Sequence, residues 1–149
     1  MELKWVYKKF DELTSAELYA IMRLRNEVFV VEQNCVYLDA DDKDQPSFHL
    51  AGWESESLIA YCRIIPPSVS YSVSSIGRVV ISQKFRKTGA GRKLMNLAIN
   101  MAFDQFNSNI IKIGAQVYLK EFYTSLGFIQ CSDEYLEDGI PHIEMQLQK

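Results

Sequence analysis

The stretch Ser75–Ala102, SIGRVVISQKFRKTGAGRKLMNLAINMA, decides how the rest of the chain is read. It opens with the β-branched run Ile76-Gly77-Arg78-Val79-Val80-Ile81 and passes through a basic turn ending Arg86-Lys87-Thr88-Gly89-Ala90-Gly91. Apolar residues follow at Leu94, Leu97, Ala98, Met101 and Ala102. The pattern predicts strand, glycine loop, helix. Two glycines one residue apart at a helix start remove the Cβ atoms that would block close approach, so successive N–H groups can face one anion. The helix N-terminus adds a partial positive charge, and Arg86, Lys87, Arg92 and Lys93 add full ones. Such a loop suits a phosphate. It is not a nucleoside-triphosphate loop, because Gly91 is followed by Arg92-Lys93-Leu94 with no hydroxyl for Mg²⁺. Nor does it fit the dinucleotide fingerprint, whose third glycine would fall on Leu94. The competing reading is a structural glycine turn with solvated charges.

Composition bounds the rest. At 149 residues, 48% hydrophobic and 23% charged, the chain is expected to form one domain over residues 1–149 that buries roughly two-thirds of its unfolded surface. The net charge is −3, so no global basic field recruits nucleic acid, and no aromatic–basic surface motif is present. Positive charge is concentrated at residues 84–93. Met1–Trp5 lacks the apolar core of a signal peptide, and no run approaches the ~18 apolar residues of a membrane span. The expectation is a cytoplasmic protein without a membrane partner. Cys35, Cys62 and Cys131 are widely spaced with no Cys-x-x-Cys pair, and are read as reduced and structural.

In chain order, Leu3–Lys8 alternates as a first strand. Thr14 or Ser15 caps a helix with Glu17 in its first turn, running to about Val30. The acidic run Asp39-Ala40-Asp41-Asp42-Lys43-Asp44 fails as a calcium loop. Lys43 and Asp44 stand where an acceptor and a glycine belong, and Leu50 stands where the bidentate Glu belongs. Two readings of that run stay open: a solvated loop, or a cleft wall that attracts a cationic substrate. Phe48–Trp53 and Leu58–Ile65 read as a hairpin stopped by Pro66-Pro67. Ile110–Ala115 is a buried-type strand, and Val117–Leu126 a short helix ended by Gly127. Phe128–Cys131 and His142–Leu147 flank a turn-rich segment, Glu134–Pro141. Strand, helix, strand beside the central strand predicts an α/β fold with antiparallel additions.

Arg86-x-x-Gly89-x-Gly91 after a strand resembles the pyrophosphate-binding motif of the GNAT superfamily of acyl-CoA N-acyltransferases. Phe122-Tyr123-Thr124-Ser125-Leu126-Gly127-Phe128 resembles the ending of the second GNAT motif. Five further segments together resemble the ElaA-like branch, over nearly the whole chain. These are Phe29-Val30-Val31-Glu32-Gln33 with Tyr37 and Asp39, His49-Leu50, Gly77-Arg78-Val79, Gly114-Ala115-Gln116 and Glu137–His142.

The resemblance implies a mixed central β-sheet of about six to seven strands flanked by about four helices. It implies transfer of the acetyl group of acetyl-CoA to a primary amine, by direct attack in a ternary complex without metal. By that resemblance the main chain of Val79, Val80 and Ile81 binds the pantetheine arm, and Arg86, Lys87, Thr88, Gly89, Ala90, Gly91 and Arg92 take the pyrophosphate. Phe122 and Gln116 belong to the cofactor side, Gln116 standing where many members carry an asparagine. Tyr123 matches the tyrosine that protonates the departing thiolate, a phenol being still protonated at neutral pH. Glu32, Tyr37, Asp39, His49 and His142 are placed on the acceptor side. The general base is left open among Glu32, Asp39, His49, Glu134 and His142. A CoA-binding regulatory module that has lost catalysis is the alternative, and monomer and homodimer are both open.

Overall fold

The computed structural model describes residues 2–149. Four strands make a first antiparallel sheet in the order β1 (Lys4–Lys9), β2 (Phe48–Glu54), β3 (Ser57–Ile65), β4 (Ser75–Ile81). Trp5 lies flat on Gly52, where an added Cβ would stand 2.8 Å from its ring, so this strand pair needs the glycine. A second sheet is built on β8 (Ile140–Gln148). It is flanked by β5 (Ile110–Gln116) on one side and by the short β6 (Ile129–Gln130), with β7 (Tyr135–Glu137) also pairing β8.

The α/β fold class stands as expected, but the strands divide differently. Eight strands form two antiparallel sheets that meet, among the described residues, through one parallel bridge, Ser74 to Ile111. There Lys112 N–H donates to Ser74 O at 3.0 Å. Beyond that bridge β4 and β5 part, and the opening between them is the organising feature of the molecule. The turn-rich Glu134–Pro141 contains β7 and turns back at Asp138 and Gly139, whose φ angles of 52° and 77° are left-handed. An Asp-Gly pair at both positive-φ places of a two-residue hairpin matches the right-handed twist of the strands it joins.

Three α-helices are present among the described residues. Helix α1 (Ser15–Arg25) opens with a reciprocal cap: Thr14 Oγ1 accepts from Glu17 N–H at 3.1 Å, and Glu17 Oε1 accepts from Thr14 N–H at 2.8 Å. The helical winding ends at Glu32, close to the expected end near Val30, but its last part, Asn26–Glu32, is π-helical. That wider winding rotates the face presented to the core, and such segments recur at functional sites. Helix α2 (Ala90–Phe106) begins after Gly89 and ends at Asn107, both left-handed. Its Leu94, Met95, Ala98, Ala102 and Phe103 share one core cluster with Ile76 of β4 and Ile111 of β5, tying the two sheets together at the closed end. Helix α3 (Lys120–Ser125) follows one 3₁₀ turn and is closed by Gly127 at φ 103°. No helix among the described residues is long and apolar enough to cross a membrane.

Candidate active site

The opening between β4 and β5 is a cleft of about 470 Å³. Its geometry begins with a bulge in β4. Arg63 pairs with Gly77 and Tyr61 with Val80, so Arg78 and Val79 together face Cys62. Arg78 sits at φ 49°, a left-handed conformation that costs a non-glycine residue on the order of 1–3 kcal/mol. What holds it there is its head group, which lies 2.8 Å from Asp39 Oδ1 and donates to Asp39 O at 3.0 Å and Asp41 Oδ2 at 3.2 Å. A bulge re-aims a strand and ends regular pairing. With β3 on one edge and the cleft on the other, the main chain of Val79, Val80 and Ile81 borders the opening.

The glycine loop closes one end. No backbone carbonyl of the described residues accepts from the N–H groups of Lys87 through Arg92, which is the condition of a helix N-terminus ready for an anion. Gly89 has φ 87°, and a Cβ there would meet nothing within 4 Å. A Cβ at Gly91 would make ordinary contacts with Ile81 at 3.7 Å and Phe122 at 3.9 Å. Thr88 Oγ1 donates to Phe85 O at 2.6 Å, and Arg92 lies 5.7 Å over the Phe122 ring. Arg86 is engaged elsewhere: its guanidinium forks onto Glu32 at 2.5 and 2.8 Å. Both partners are about a third exposed, so the pair is worth at most about 1 kcal/mol and is easily exchanged for another anion.

Tyr123, on α3, lies in the same cleft, only 6% exposed and packed edge-on against Phe122 and Phe128. No described residue hydrogen-bonds its hydroxyl. Burial, with smaller contributions from Cys62 and Tyr118, pushes its pKa well above the ordinary tyrosine value, so the phenol keeps its proton throughout the neutral range. Across the opening, the side-chain amides of Gln33 and Gln116 hydrogen-bond each other at 3.3 and 3.4 Å.

On the acceptor side the structure corrects two expectations. The acidic run is not a wall of free charge. Asp39 bonds Arg25 at 2.8 Å, Asp44 bridges Arg25 at 2.7 Å and Arg63 at 2.9 Å, and Asp41 bonds Arg63 at 2.6 Å. With Arg78, three guanidiniums and three carboxylates alternate in a largely buried network, and Asp39 is only 4% exposed. Among the run's aspartates, Asp42 alone remains solvent-facing. His49 also lies outside the cleft, 1% exposed. Its Nδ1 accepts from the Tyr61 hydroxyl at 2.7 Å, and its Nε2–H donates to Asp44 O at 2.9 Å. Desolvation holds its pKa below the ordinary value.

Glu32, Tyr37 and His142 do border the cleft. Tyr37 donates to Asp39 Oδ1 at 2.9 Å, which ties the network to the opening. Residues to which the sequence reading assigns no site role also line it, namely Arg78, Gln33, Cys35, Tyr118, Glu137 and Asp138. The sequence reading takes Glu134–Pro141 only as turn-rich; the Asp138-Gly139 pair is the signal from which the hairpin that carries the last two could have been found. Nothing local marks Arg78, whose importance comes from a bulge and from partners 37 and 39 residues away.

Comparison with known proteins agrees with this geometry. Residues 18–149 match the family model described as an acetyltransferase (GNAT) domain. The chain is 45% identical to a UPF0039 protein of Schizosaccharomyces pombe, covering 98% of this chain and 97% of that one. It is 39% identical to the ElaA protein of Escherichia coli, covering 96% and 95%. The crystal structure of E. coli ElaA superposes with a TM-score of 0.92 over 98% of this chain and 99% of that one. An acyl-CoA N-acyltransferase from Pseudomonas aeruginosa, 39% identical, superposes with a TM-score of 0.93 over the same shares. The fold as a whole thus has full-length counterparts, and the chain belongs to the GNAT acetyltransferase family, in its ElaA-like branch.

Proposed function

We propose that the protein transfers the acetyl group of acetyl-CoA to a primary amine, of a small molecule or a peptide, by direct attack in a ternary complex. The observation that carries this reading is one cleft that is lined by the β4 edge and Tyr123, whose hydroxyl no described residue bonds, and that reaches the glycine loop at Arg86 and Gly91, where the helix start leaves N–H groups without backbone partners. The family supplies acyl transfer, and the acyl-CoA named for the P. aeruginosa relative supports the donor. The residues fit that donor. Gly89 leaves open space at the helix start, Arg92 and Lys87 add charge beside it, and Arg86 is released from Glu32 at small cost. We place this chemistry in the cytoplasm, with no nucleic acid, metal or membrane taking part.

As the amine nitrogen forms its bond to the acyl carbon, the C–S bond breaks and its electron pair passes to sulfur. Tyr123 is the group that meets this charge. At ordinary values a phenolate is about 1.5 pK units more basic than a thiolate, so complete proton transfer from the phenol is uphill by about 2 kcal/mol. The hydroxyl therefore acts chiefly as a hydrogen-bond donor to the departing sulfur, and solvent completes the protonation.

Incubation with acetyl-CoA and a panel of polyamines, amino acids, amino sugars and peptides, read by CoA release, tests the proposal. Amine-dependent release with some member of the panel is expected. Tight acetyl-CoA binding with no release for any amine would instead make the protein a CoA-binding regulatory module.

A further inference from the structure

Acylation of an amine needs a group to take the proton that nitrogen loses, and five side chains were open for that role from the sequence. Four are removed by their surroundings. Glu32 stands beside Arg86 at the glycine-loop end of the cleft, the donor's side, and Asp39 is sunk in the arginine network. His49 has both ring nitrogens occupied, and Glu134 does not border the cleft. The fifth, His142, is 7% exposed on β8, opposite Gln116 at the open end of β5.

Its Nδ1 lies 2.7 Å from Ile140 O. A carbonyl can only accept, so Nδ1 carries the hydrogen and the neutral ring presents a lone pair at Nε2. The ring plane is held by Tyr135, stacked at 5.9 Å. Glu137 Oε2 stands 3.5 Å from Nε2. In the neutral ring a carboxylate faces a lone pair there. Once Nε2 takes a proton, the same contact becomes an ion pair. The hairpin bearing Glu137 is pinned by Cys35, whose Sγ–H donates to Asp138 O at 3.3 Å. The remaining ionisable neighbours are accounted for. Glu144, two residues along β8, is paired with Lys112 at 3.1 Å, and Tyr71 joins Tyr135 over Gly114. Tyr37 and Asp138 border the same space.

Resting on the amine-acylation reading above, we infer that His142 is the general base of the reaction and that Glu137 is a positioning residue acting through it. Nε2 takes one proton from the acceptor nitrogen as the C–N bond forms, while sulfur leaves with the electron pair of the C–S bond. The imidazolium then releases its proton to water, and the thiolate gains one from solvent, so the ring returns to its starting state. Glu137 and Asp138, two acidic residues that border this end of the cleft, also draw the cationic form of the acceptor to the base.

The test is a set of pH–rate profiles for the parent, His142→Gln and Glu137→Gln, with the best amine from the panel. Glutamine can keep the donor to Ile140 O. His142→Gln is expected to lose ~10²–10⁴-fold in kcat with the acetyl-CoA KM unchanged, and added imidazole restores part of the rate. Glu137→Gln lowers kcat with the acetyl-CoA KM unchanged and leaves the protein's thermal stability intact, because the imidazolium formed in the reaction has lost the carboxylate beside it. A His142→Gln variant within twofold of an active parent at every pH overturns the inference and leaves the acylation reading standing. A parent that acylates no amine overturns both. Should the variant fail to fold, ¹⁵N NMR of the parent's imidazole decides: a neutral His142 ring with its proton on Nε2 rather than Nδ1 overturns the assignment.

Discussion

The two walls of the cleft are built by different means. The wall assigned to the acyl donor comes from two contiguous pieces, β4 through the start of α2 and the short α3, and its features are local: a glycine at positive φ, a helix start, a tyrosine one position after a phenylalanine. The acceptor wall is assembled from the π-helical segment, the acidic loop and the β7–β8 hairpin. It is held by ion pairs spanning 14 to 39 residues and by the contact between Cys35 and Asp138. Damage to the first wall should therefore change chemistry or binding without unfolding the chain. Damage to the second should unfold it first.

The largest expected effect is kinetic. Tyr123→Phe keeps the ring packing and removes a hydroxyl that nothing in the protein uses, so thermal stability stays within about 0.5 kcal/mol. Meanwhile kcat falls ~10²–10³-fold, the loss of one preorganised hydrogen-bond donor, with little change in acetyl-CoA affinity. A rate within twofold of the parent would make Tyr123 a packing residue and the donor wall catalytically passive.

The counterpart on the other wall is Asp44→Ala, which strands Arg25 and Arg63. Breaking a buried pair from one side costs about 3–5 kcal/mol, and for a chain of this size that lowers Tm by roughly 6–20 °C. Asp42→Asn, three positions from Asp39 but facing solvent, should change neither Tm nor the acceptor KM. Equal Tm values for the two variants would erase the distinction. Acid should probe the same network. Burial alone would raise the Asp44 pKa, but hydrogen bonds and charge from Arg25 and Arg63 outweigh it and hold the carboxyl below the usual range. Its contribution is thus present above the ordinary pKa of about 4 and is lost as pH falls through the depressed folded value. Urea titrations at pH 7, 4 and 3 should show stability dropping between the last two, and less so in Asp44→Ala.

A third experiment concerns the loop. Gly89 is a poor place to add bulk, since its φ of 87° penalises any side chain. Gly91 lies within helical backbone and tolerates a Cβ. Acetyl-CoA at 100 times its dissociation constant should stabilise the parent by ~2.7 kcal/mol. Gly91→Val should fold normally and show a smaller shift, because its branched methyls narrow the cleft where the loop meets Ile81 and Phe122. An undiminished shift would move the anion site away from the loop. The smallest effect is expected at Glu32→Gln, which frees Arg86 from a pair worth at most about 1 kcal/mol. The acetyl-CoA Kd should fall by no more than about fivefold. A rise instead would mean that Glu32 positions Arg86 for its ligand rather than competing with it.

The sequence by itself determined the donor half of the molecule: the strand, the glycine loop, the helix and the Phe-Tyr segment. Each rests on periodicity, helix capping or backbone freedom, which act over a few residues and leave a local trace. It also specified the Thr14–Glu17 cap and the β2–β3 hairpin by the same kind of rule. Only the tertiary structure decided what the charges do. Six aspartates and arginines spread from residue 25 to residue 78 read as solvated when taken one by one, and become a buried alternating network once the chain brings them within 3 Å. His49 and His142 illustrate the same limit. Both are histidines within strands, and nothing in their immediate neighbours separates them. One is neutral core with both nitrogens spent, the other keeps a lone pair at the cleft, because a ring's free nitrogen is set by whichever carbonyl or hydroxyl the fold places against its opposite side.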